Sequence, residues 1–450
     1  MRTALAKCFF YSFLVLVALF VTGCSGLSQP EQPVTKNTPS AAIMPTPLAT
    51  QQPVEQPAAG QLSPTIDALA QQVLVNIHQH GWNPAAQYHG AVTGGLYINW
   101  KMDDPSQTNA LKLGMNDVTA GNHDPQVDLY YLNALAEYRS LHPADHSYDT
   151  DMEKILPLVQ HEFANYNLPK GWIYFFLLRD GLLLNNTGLI DEAHTAAKNY
   201  YTTWYDPNVG TVYNHKANPP NFNVEHTINC GTALIDAGKR WNEPDWVQAG
   251  ESTINHTLDA ALNPQYHLLY NNVIVTPGNT LRVQDYQAKP STQGNTVIAL
   301  VTAYNLTHEQ HYLDVAGQIL HSMFASPLWD QARGGLFFAL DMDSGKLQQS
   351  YKETRGQTLS LVGLYHYNQA LRQLGQPPQL LDKQQQLIDV LSKKFYQSTY
   401  HGFFYRVTPA FAVYTSSPGQ GIGVEDFFTT EAMGTALDAL QQSEFANLAF

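Results

Sequence analysis

Cysteine is nearly missing from this chain, with three in 450 residues: Cys8, Cys24 and Cys230. The first two fall in an amino-terminal leader, so the body holds one thiol and no internal disulfide can form. Zinc-type spacings of cysteine and histidine are absent as well. The fold is therefore expected to stand on its packed core. Positive charge is also scarce, with 24 Lys and Arg against 38 Asp and Glu, and charged residues make up only 14% of the chain. An acidic chain without basic runs excludes nucleic acid and anionic lipid surfaces as partners. Several catalytic signatures are wanting too. There is no Gly-x-Ser-x-Gly elbow, phosphate-binding Gly-rich loop, Cys-x-x-Cys or His-Glu-x-x-His. No cofactor and no metal is expected.

What is present begins with a leader. Arg2 and Lys7 precede an apolar stretch over residues 8–20, which is short for a bilayer span and has the layout of a signal peptide. The ending Val21-Thr22-Gly23-Cys24 resembles a bacterial lipobox. That resemblance implies cleavage before Cys24 and lipid on its sulfur; the alternative is an ordinary signal peptide with a chance cysteine. Residues 24–62 are rich in Pro, Gln and Thr with no apolar period, as in an extended tether. The expected organisation is thus a signal peptide over 1–23, a lipid-anchored linker over 24–62 and a folded body over 63–450. Loss of Arg2 and Lys7 leaves 22 positive side chains against 38 acids, a net of −16. The protein is expected outside the cell, held to the outer face of the membrane by Cys24 alone, and monomeric.

The body repeats itself. A motif of glycine, two apolar residues and an aromatic occurs as Gly94-Gly95-Leu96-Tyr97, Gly210-Thr211-Val212-Tyr213, Gly335-Leu336-Phe337-Phe338 and Gly402-Phe403-Phe404-Tyr405, with a looser copy at His267-Leu268-Leu269-Tyr270. The aromatic positions stand 116, 57, 68 and 67 residues apart. The first gap is a double one, so six units of about 60 residues are implied. Each unit carries two amphipathic helical patterns. The first of each pair covers 63–80, 148–164, 188–204, 243–262, 308–325 and 379–397. The second covers 123–141, 171–184, 223–241, 291–305, 352–373 and 427–441. The motif between them has strand character and predicts short hairpins.

Six helical pairs with ornamented loops predict an all-α closed ring, an (α/α)6 toroid with β-hairpin loops on its cleft face. This pattern resembles the six-hairpin glycosidase superfamily. The segments Gly334-Gly335-Leu336-Phe337-Phe338-Ala339-Leu340-Asp341 and Lys352-Glu353-Thr354-Arg355-Gly356-Gln357 look most like its N-acylglucosamine 2-epimerase branch. The superfamily includes hydrolases, lyases, phosphorylases and epimerases, so the resemblance implies a fold and an oligosaccharide or polysaccharide partner more than one reaction.

In such a ring the inner-helix N-termini converge on one face, and polar residues in their first turns become candidates. Glycoside cleavage needs two opposed carboxyls, for which Asp124, Asp128, Glu225, Asp285 and Glu353 are available. A helix N-terminus favours the charged form, so a proton donor is expected among loop acids beside rings, with Asp285 next to Tyr286 the best case. Helix capping is the competing reading for Asp124 and Glu353. Tyr97, Trp100, Trp172 and Tyr405 are candidate sugar platforms; Trp204 and Trp329 compete with them and with the core. His226 resembles the family's helix-six histidine, implying support for chemistry rather than its performance. The family's catalytic histidines on inner helices eight and twelve have no counterpart, since Gln293, Asn295, Thr429 and Glu431 stand there. Arg355, with Lys352, suits either a sugar carboxylate or the neutralisation of Glu353. Three functions follow: a cell-surface glycoside hydrolase using paired carboxylates, a non-catalytic glycan-binding lipoprotein, and a sugar epimerase.

Overall fold

Asn, Asp and Pro punctuate the chain where helical periods begin. Asp124 and Asn223 occupy N-cap positions and accept the amides of Gln126 and His226, and Asn186 does the same for Leu189. Pro125, Pro244 and Pro290 open their helices at the position where the missing N–H costs nothing. The computed structural model describes residues 64–109, 124–164, 166–349, 351–415 and 424–442. Twelve α-helices lie among them: α1 (Pro64–His80), α2 (Pro125–Leu141), α3 (Asp149–Phe163), α4 (Trp172–Leu183), α5 (Thr187–Asn199), α6 (Val224–Arg240), α7 (Pro244–Ala261), α8 (Pro290–Thr307), α9 (Gln310–Ala325), α10 (Thr354–Gln373), α11 (Leu381–Val390) and α12 (Thr430–Gln442). Every predicted helix is present. Cys24 and the segments expected to be a signal peptide and a tether lie outside the described residues.

The even-numbered helices form an inner ring, each packed against the next, and α12 returns to α2 to close it. The fold is an (α/α)6 toroid. Each odd helix lies outside, with α3 on α2, α5 on α4, α7 on α6, α9 on α8, α11 on α10 and α1 on α12. Sequence order had paired each outer helix with the inner one after it. The packed hairpin instead joins an inner helix to the outer one that follows, because the turns there are short and force antiparallel contact. Helix α6 is buried on nearly every side from Val224 to Gly238, as an inner element must be. Close approach relies on glycine: a Cβ on Gly250 of α7 would stand 2.4 Å from the Gly231 carbonyl of α6.

The long loops all lie at the N-terminal ends of the inner helices, where short strands stitch neighbouring units together. Asn221–Asn223 pairs with Asn272–Thr276, which pairs in turn with Thr280–Asp285. Gln287–Ala288 pairs with Ala339–Asp341, and Lys352–Glu353 with Arg406–Val407. Phe427–Thr429 pairs with Asn99–Lys101, joining the last unit to the first.

The repeated motif sits in these loops, with one correction to its register. The residues that bridge back to the end of the preceding helix are Leu96, Val212, Leu269, Leu336 and Phe403. Two residues before each comes a left-handed backbone: Gly94 (φ 72°), Gly210 (73°), His267 (51°), Gly334 (75°) and His401 (56°). The fourth and fifth copies therefore begin one residue earlier than the glycines suggested. Phe337 and Phe404 are the motif aromatics there, and Tyr405 lies one place beyond.

Candidate active site

Four of the five motif loops are fixed by the fourth residue of an inner helix; at the Phe403 loop that place on α12 is taken by the apolar Met433. Gln293 of α8 accepts the Leu269 amide and donates to its carbonyl, both at 2.8 Å. Gln357 of α10 does the same for Leu336, at 2.7 and 2.8 Å. Thr227 of α6 donates to the Val212 carbonyl at 3.0 Å. Asp128 of α2 accepts the Leu96 amide at 2.8 Å and is fully buried. Asp128 thus holds the position of the two glutamines and clamps a loop, which corrects the expectation that it faces a substrate. Glu162 is its neighbour, its carboxyl pushed well up by burial and by the Asp128 charge.

The second residue of the inner helices builds the mouth of the lumen. Glu225 stands there on α6, Arg355 on α10 and Glu431 on α12. Helices α6 and α12 are opposite one another in the six-membered ring. Arg355 spans the gap between their carboxylates: its Nη2 donates to Glu225 Oε1 at 2.7 Å, and its Nε lies 3.5 Å from Glu431 Oε1. Glu353 and Asp124, the residues preceding α10 and α2, add two more acids within electrostatic reach.

Environment separates these acids. Burial pushes Glu225 up, but Arg355 first, then His226 and Lys289, more than offset it and hold the carboxyl below its ordinary value. Glu431 is raised to about 7, by burial first; Arg355 opposes the shift, and the like charges of Glu353, Asp124 and Glu225 add to it. Glu353 is raised by burial against a hydrogen bond from Tyr405 and the charges of Arg355, Arg406 and Lys289. The raised acids therefore lie in or beside first helical turns. Desolvation and carboxylate crowding outweigh the helix dipole, which is worth a kcal/mol or so (about 0.3–1 at exposed sites).

Sequence reasoning did not select Glu431, although one signal was available. It occupies the same helical place as Glu225 and Arg355. Asp285, the expected proton donor, lies elsewhere: its carboxylate accepts from Asn271 Nδ2 and the Gln287 amide, both at 3.1 Å, on the wall of an outer groove. Asp124 is a cap as well as a member of the cluster, accepting the backbone and side-chain N–H groups of Gln126, each at 3.0 Å.

His226 Nε2 lies 3.4 Å from Glu225 Oε1. Burial lowers its pKa to about 4; Glu225 opposes this, while Lys170 and Arg355 add to it, so the ring is neutral near pH 7. Trp172 stacks on Tyr130 with ring centres 5.3 Å apart and planes 4° from parallel, and both line the lumen below Arg355. Tyr97 comes to the N-terminus of α12, where its carbonyl accepts Thr430 Oγ1 at 2.6 Å. Tyr405 is the hydrogen-bond partner of Glu353. Trp100 corrects an expectation: it is fully buried, with its indole N–H donated to Asn76, and offers no face to a ligand. Trp204 and Trp329 are core as well. Lys352 also faces away from the cleft, buried against Asp330 at 2.8 Å.

A second ionic cluster closes the lumen at its far end. Arg179 of α4 meets Asp438 of α12 at 2.7 Å and Glu137 of α2 at 3.1 Å, and takes Asn133 through its Nε at 3.0 Å. Asp180, beside it in sequence, is fully buried, and neither carboxyl oxygen has a hydrogen-bond partner among the described residues.

Solved structures share this architecture. An unsaturated glucuronyl hydrolase from a Bacillus species, responsible for glycosaminoglycan degradation, is 14% identical with a TM-score of 0.57, over 83% of this chain and 94% of its own. An α-1,6-mannanase of Salegentibacter, seen as an inactive variant with two neighbouring aspartates changed to asparagine and bound to α-1,6-mannotriose, is 12% identical with a TM-score of 0.58, over 85% and 100%. A D-mannose isomerase is 11% identical with a TM-score of 0.60, over 85% and 97%. The fold is the six-hairpin toroid. At such identities the likeness concerns the fold alone, and it does not single out the N-acylglucosamine 2-epimerase branch. No protein-family model and no curated protein matches the sequence.

Proposed function

We propose that this toroid cleaves glycosidic bonds in a neutral glycan, with Glu431 as proton donor and Glu225 as its charged partner. The observation that carries the proposal is the split between the two. They sit on opposite inner helices at one mouth, one carboxyl raised to about 7 and the other held below its ordinary value. Such a divergence assigns acid and base roles to a pair of like groups. Glu431 gives its proton to the leaving oxygen, and Glu225 either deprotonates a water or attacks the anomeric carbon. Four carboxyls around the mouth disfavour an acidic sugar, and Arg355 is already engaged by protein carboxylates. The mannanase named above is inactive without two neighbouring aspartates. The one such pair in this chain, Asp103–Asp104, lies in a loop tied to Lys101, Ser106 and Gln107.

The neutral His226, and the use of Gln293 as a loop clamp, leave an epimerase without its proton carriers. A glycan-binding protein without chemistry is favoured by one feature: Arg355 neutralises both carboxylates in the same place. The lipobox-like ending at Cys24 and the tether after it support work at the outer face of the membrane.

The test is proton NMR of the soluble body, residues 63–450, with neutral and acidic oligosaccharides. New anomeric signals are expected from a neutral substrate, and their first α or β form reports inversion or retention. Activity should fall as pH rises through about 7, where Glu431 loses its proton. Selective broadening of ligand signals without new ends would instead select the binding protein.

A further inference from the structure

The loops hold a second concave surface that the chemistry above does not use. It is an open groove of about 600 Å³ between the sheet of residues 272–285 and the strands at 287–288 and 339–341. That size falls within the usual range for small-molecule sites. Asn272, Gln284, Asp285, Gln287 and Asp341 contribute to it, and Tyr286 stands on its wall. Among the described residues no Lys or Arg lines it. Tyr286 is 49% exposed, the most exposed tyrosine among the described residues.

The ring of Tyr286 does not hang free. It meets Tyr270 edge-on, with centres 5.6 Å apart at 83°. The Tyr270 hydroxyl in turn accepts Asn263 Nδ2 at 2.6 Å. The carbonyl of Tyr286 accepts the Met342 amide at 3.0 Å, which ties its backbone to the neighbouring strand. Asp285 is bonded to Asn271, and Asn271 accepts Thr292 Oγ1 of α8 at 3.0 Å. The edge contact positions the ring from one side, and among the described residues no protein ring stacks on its face.

We infer that this groove binds a neutral stretch of the glycan chain running away from the mouth. The inference rests on the glycan-cleaving reading above. A pyranose presents polarised C–H groups on one face, which suit the negative face of a tyrosine ring. Its equatorial hydroxyls suit amide and carboxylate side chains, which both accept and, for the amides, donate. The lack of a lining cation makes an anionic ligand unsuitable. The groove is also joined to the mouth through the chain itself. Three residues after Tyr286 comes Lys289, which immediately precedes α8 and acts electrostatically on both Glu225 and Glu353. A glycan lying on Tyr286 can therefore continue toward the reacting carboxylates along one segment.

The test uses affinity electrophoresis of the soluble body through gels cast with yeast mannan, barley β-glucan or heparin, together with cleavage assays on short and long chains of the same polymers. The wild type should be retarded by a neutral polymer and not by heparin. Tyr286→Ala should weaken that retardation about tenfold, a loss of about 1.4 kcal/mol, and Tyr286→Phe should restore it. Because Tyr286 is exposed, its truncation leaves the core intact. For cleavage, Tyr286→Ala should raise KM for long chains, with kcat unchanged and short chains unaffected. Equal retardation of wild type and Tyr286→Ala, or retardation by heparin alone, overturns the groove while leaving cleavage standing. Tyrosine-dependent retardation without any cleavage supports the groove and removes the hydrolase. No retardation in any gel overturns the groove outright.

Discussion

The lumen carries an arginine among carboxylates at each end, and the two ends differ in what surrounds them. At the mouth, Arg355 keeps 23% of its side chain exposed and bridges two acids from opposite helices. At the floor, Arg179 keeps 8%, joins α2, α4 and α12, and lies over the Phe176 ring at 4.9 Å. Burial drives the floor acids Glu137 and Asp180 well above their ordinary values, while Asp438 is held low, chiefly by Arg179 against burial. At the floor, burial raises two acids, while the third is kept low as the ion-pair partner of Arg179. At the mouth, one acid is left close to pH 7. The same side chains make a structural tie when sealed and a proton-transfer pair when partly open.

That comparison can be broken by exchanging single groups. Glu431→Gln should lower kcat by roughly a hundredfold to ten-thousandfold, the span general acid catalysis covers, while Asp438→Asn leaves kcat within about threefold in the protein that folds. Initial-rate kinetics on the NMR-identified substrate decides this, and equal losses from both variants would end the distinction. Arg179→Met should cost about 3–5 kcal/mol of stability, because it strands a buried carboxylate. Urea unfolding measures that cost, and a shift of less than a kcal/mol would make the floor dispensable.

A smaller effect sharpens the contrast at the mouth. The folded pKa of Glu431, about 7, lies above its unperturbed 4.5, so the neutral form favours folding. The stabilisation it gives is full below about pH 4.5 and is lost as pH rises through about 7. Glu431→Gln should therefore gain up to about 3 kcal/mol over the wild type at pH 8, at 1.36 kcal/mol per pKa unit, and nothing at pH 4. Thermal melts across that range would show a gap widening with pH; a gap independent of pH would mean that Glu431 does not titrate as described.

The helices were legible because their signals are local. Apolar periods ended at caps and prolines, and all twelve patterns correspond to helices. The pairing of helices was less legible, since it depends on which connections are short enough to force contact. The motif register slipped by one in two copies for two reasons: Gly334 and Gly335 are adjacent and the turn begins at the first of them, and at the last copy His401 takes the left-handed turn that glycine takes elsewhere. A fuller pattern would have corrected it. Trp329-Asp330 and Tyr396-Gln397 each precede the bridging residue by seven positions, as Tyr205-Asp206 and Leu262-Asn263 do.

The site was half legible. Glu225, Glu353, Asp124, His226 and Arg355 meet at the mouth, and each could be found as a polar residue near the start of an inner helix. The assignment of roles could not be found that way. A local rule about helix dipoles pointed to Asp285, whereas the raised acid is made by burial and by three carboxylates from distant parts of the chain. Asp128 was misread because its carboxylate and the amides of Gln293 and Gln357 do one geometric task, and nothing in residue type reveals that.

The recurrent clamp has a consequence for how this architecture changes. Four of the five motif loops are plugged into the barrel through the main chain of one residue, and the socket accepts Asp, Gln or Thr without regard to the loop's own side chains. A loop of different length or chemistry could occupy the same socket while the twelve helices stay as they are. The barrel then behaves as a rack of interchangeable parts, in which a new specificity requires new loops and leaves the frame untouched.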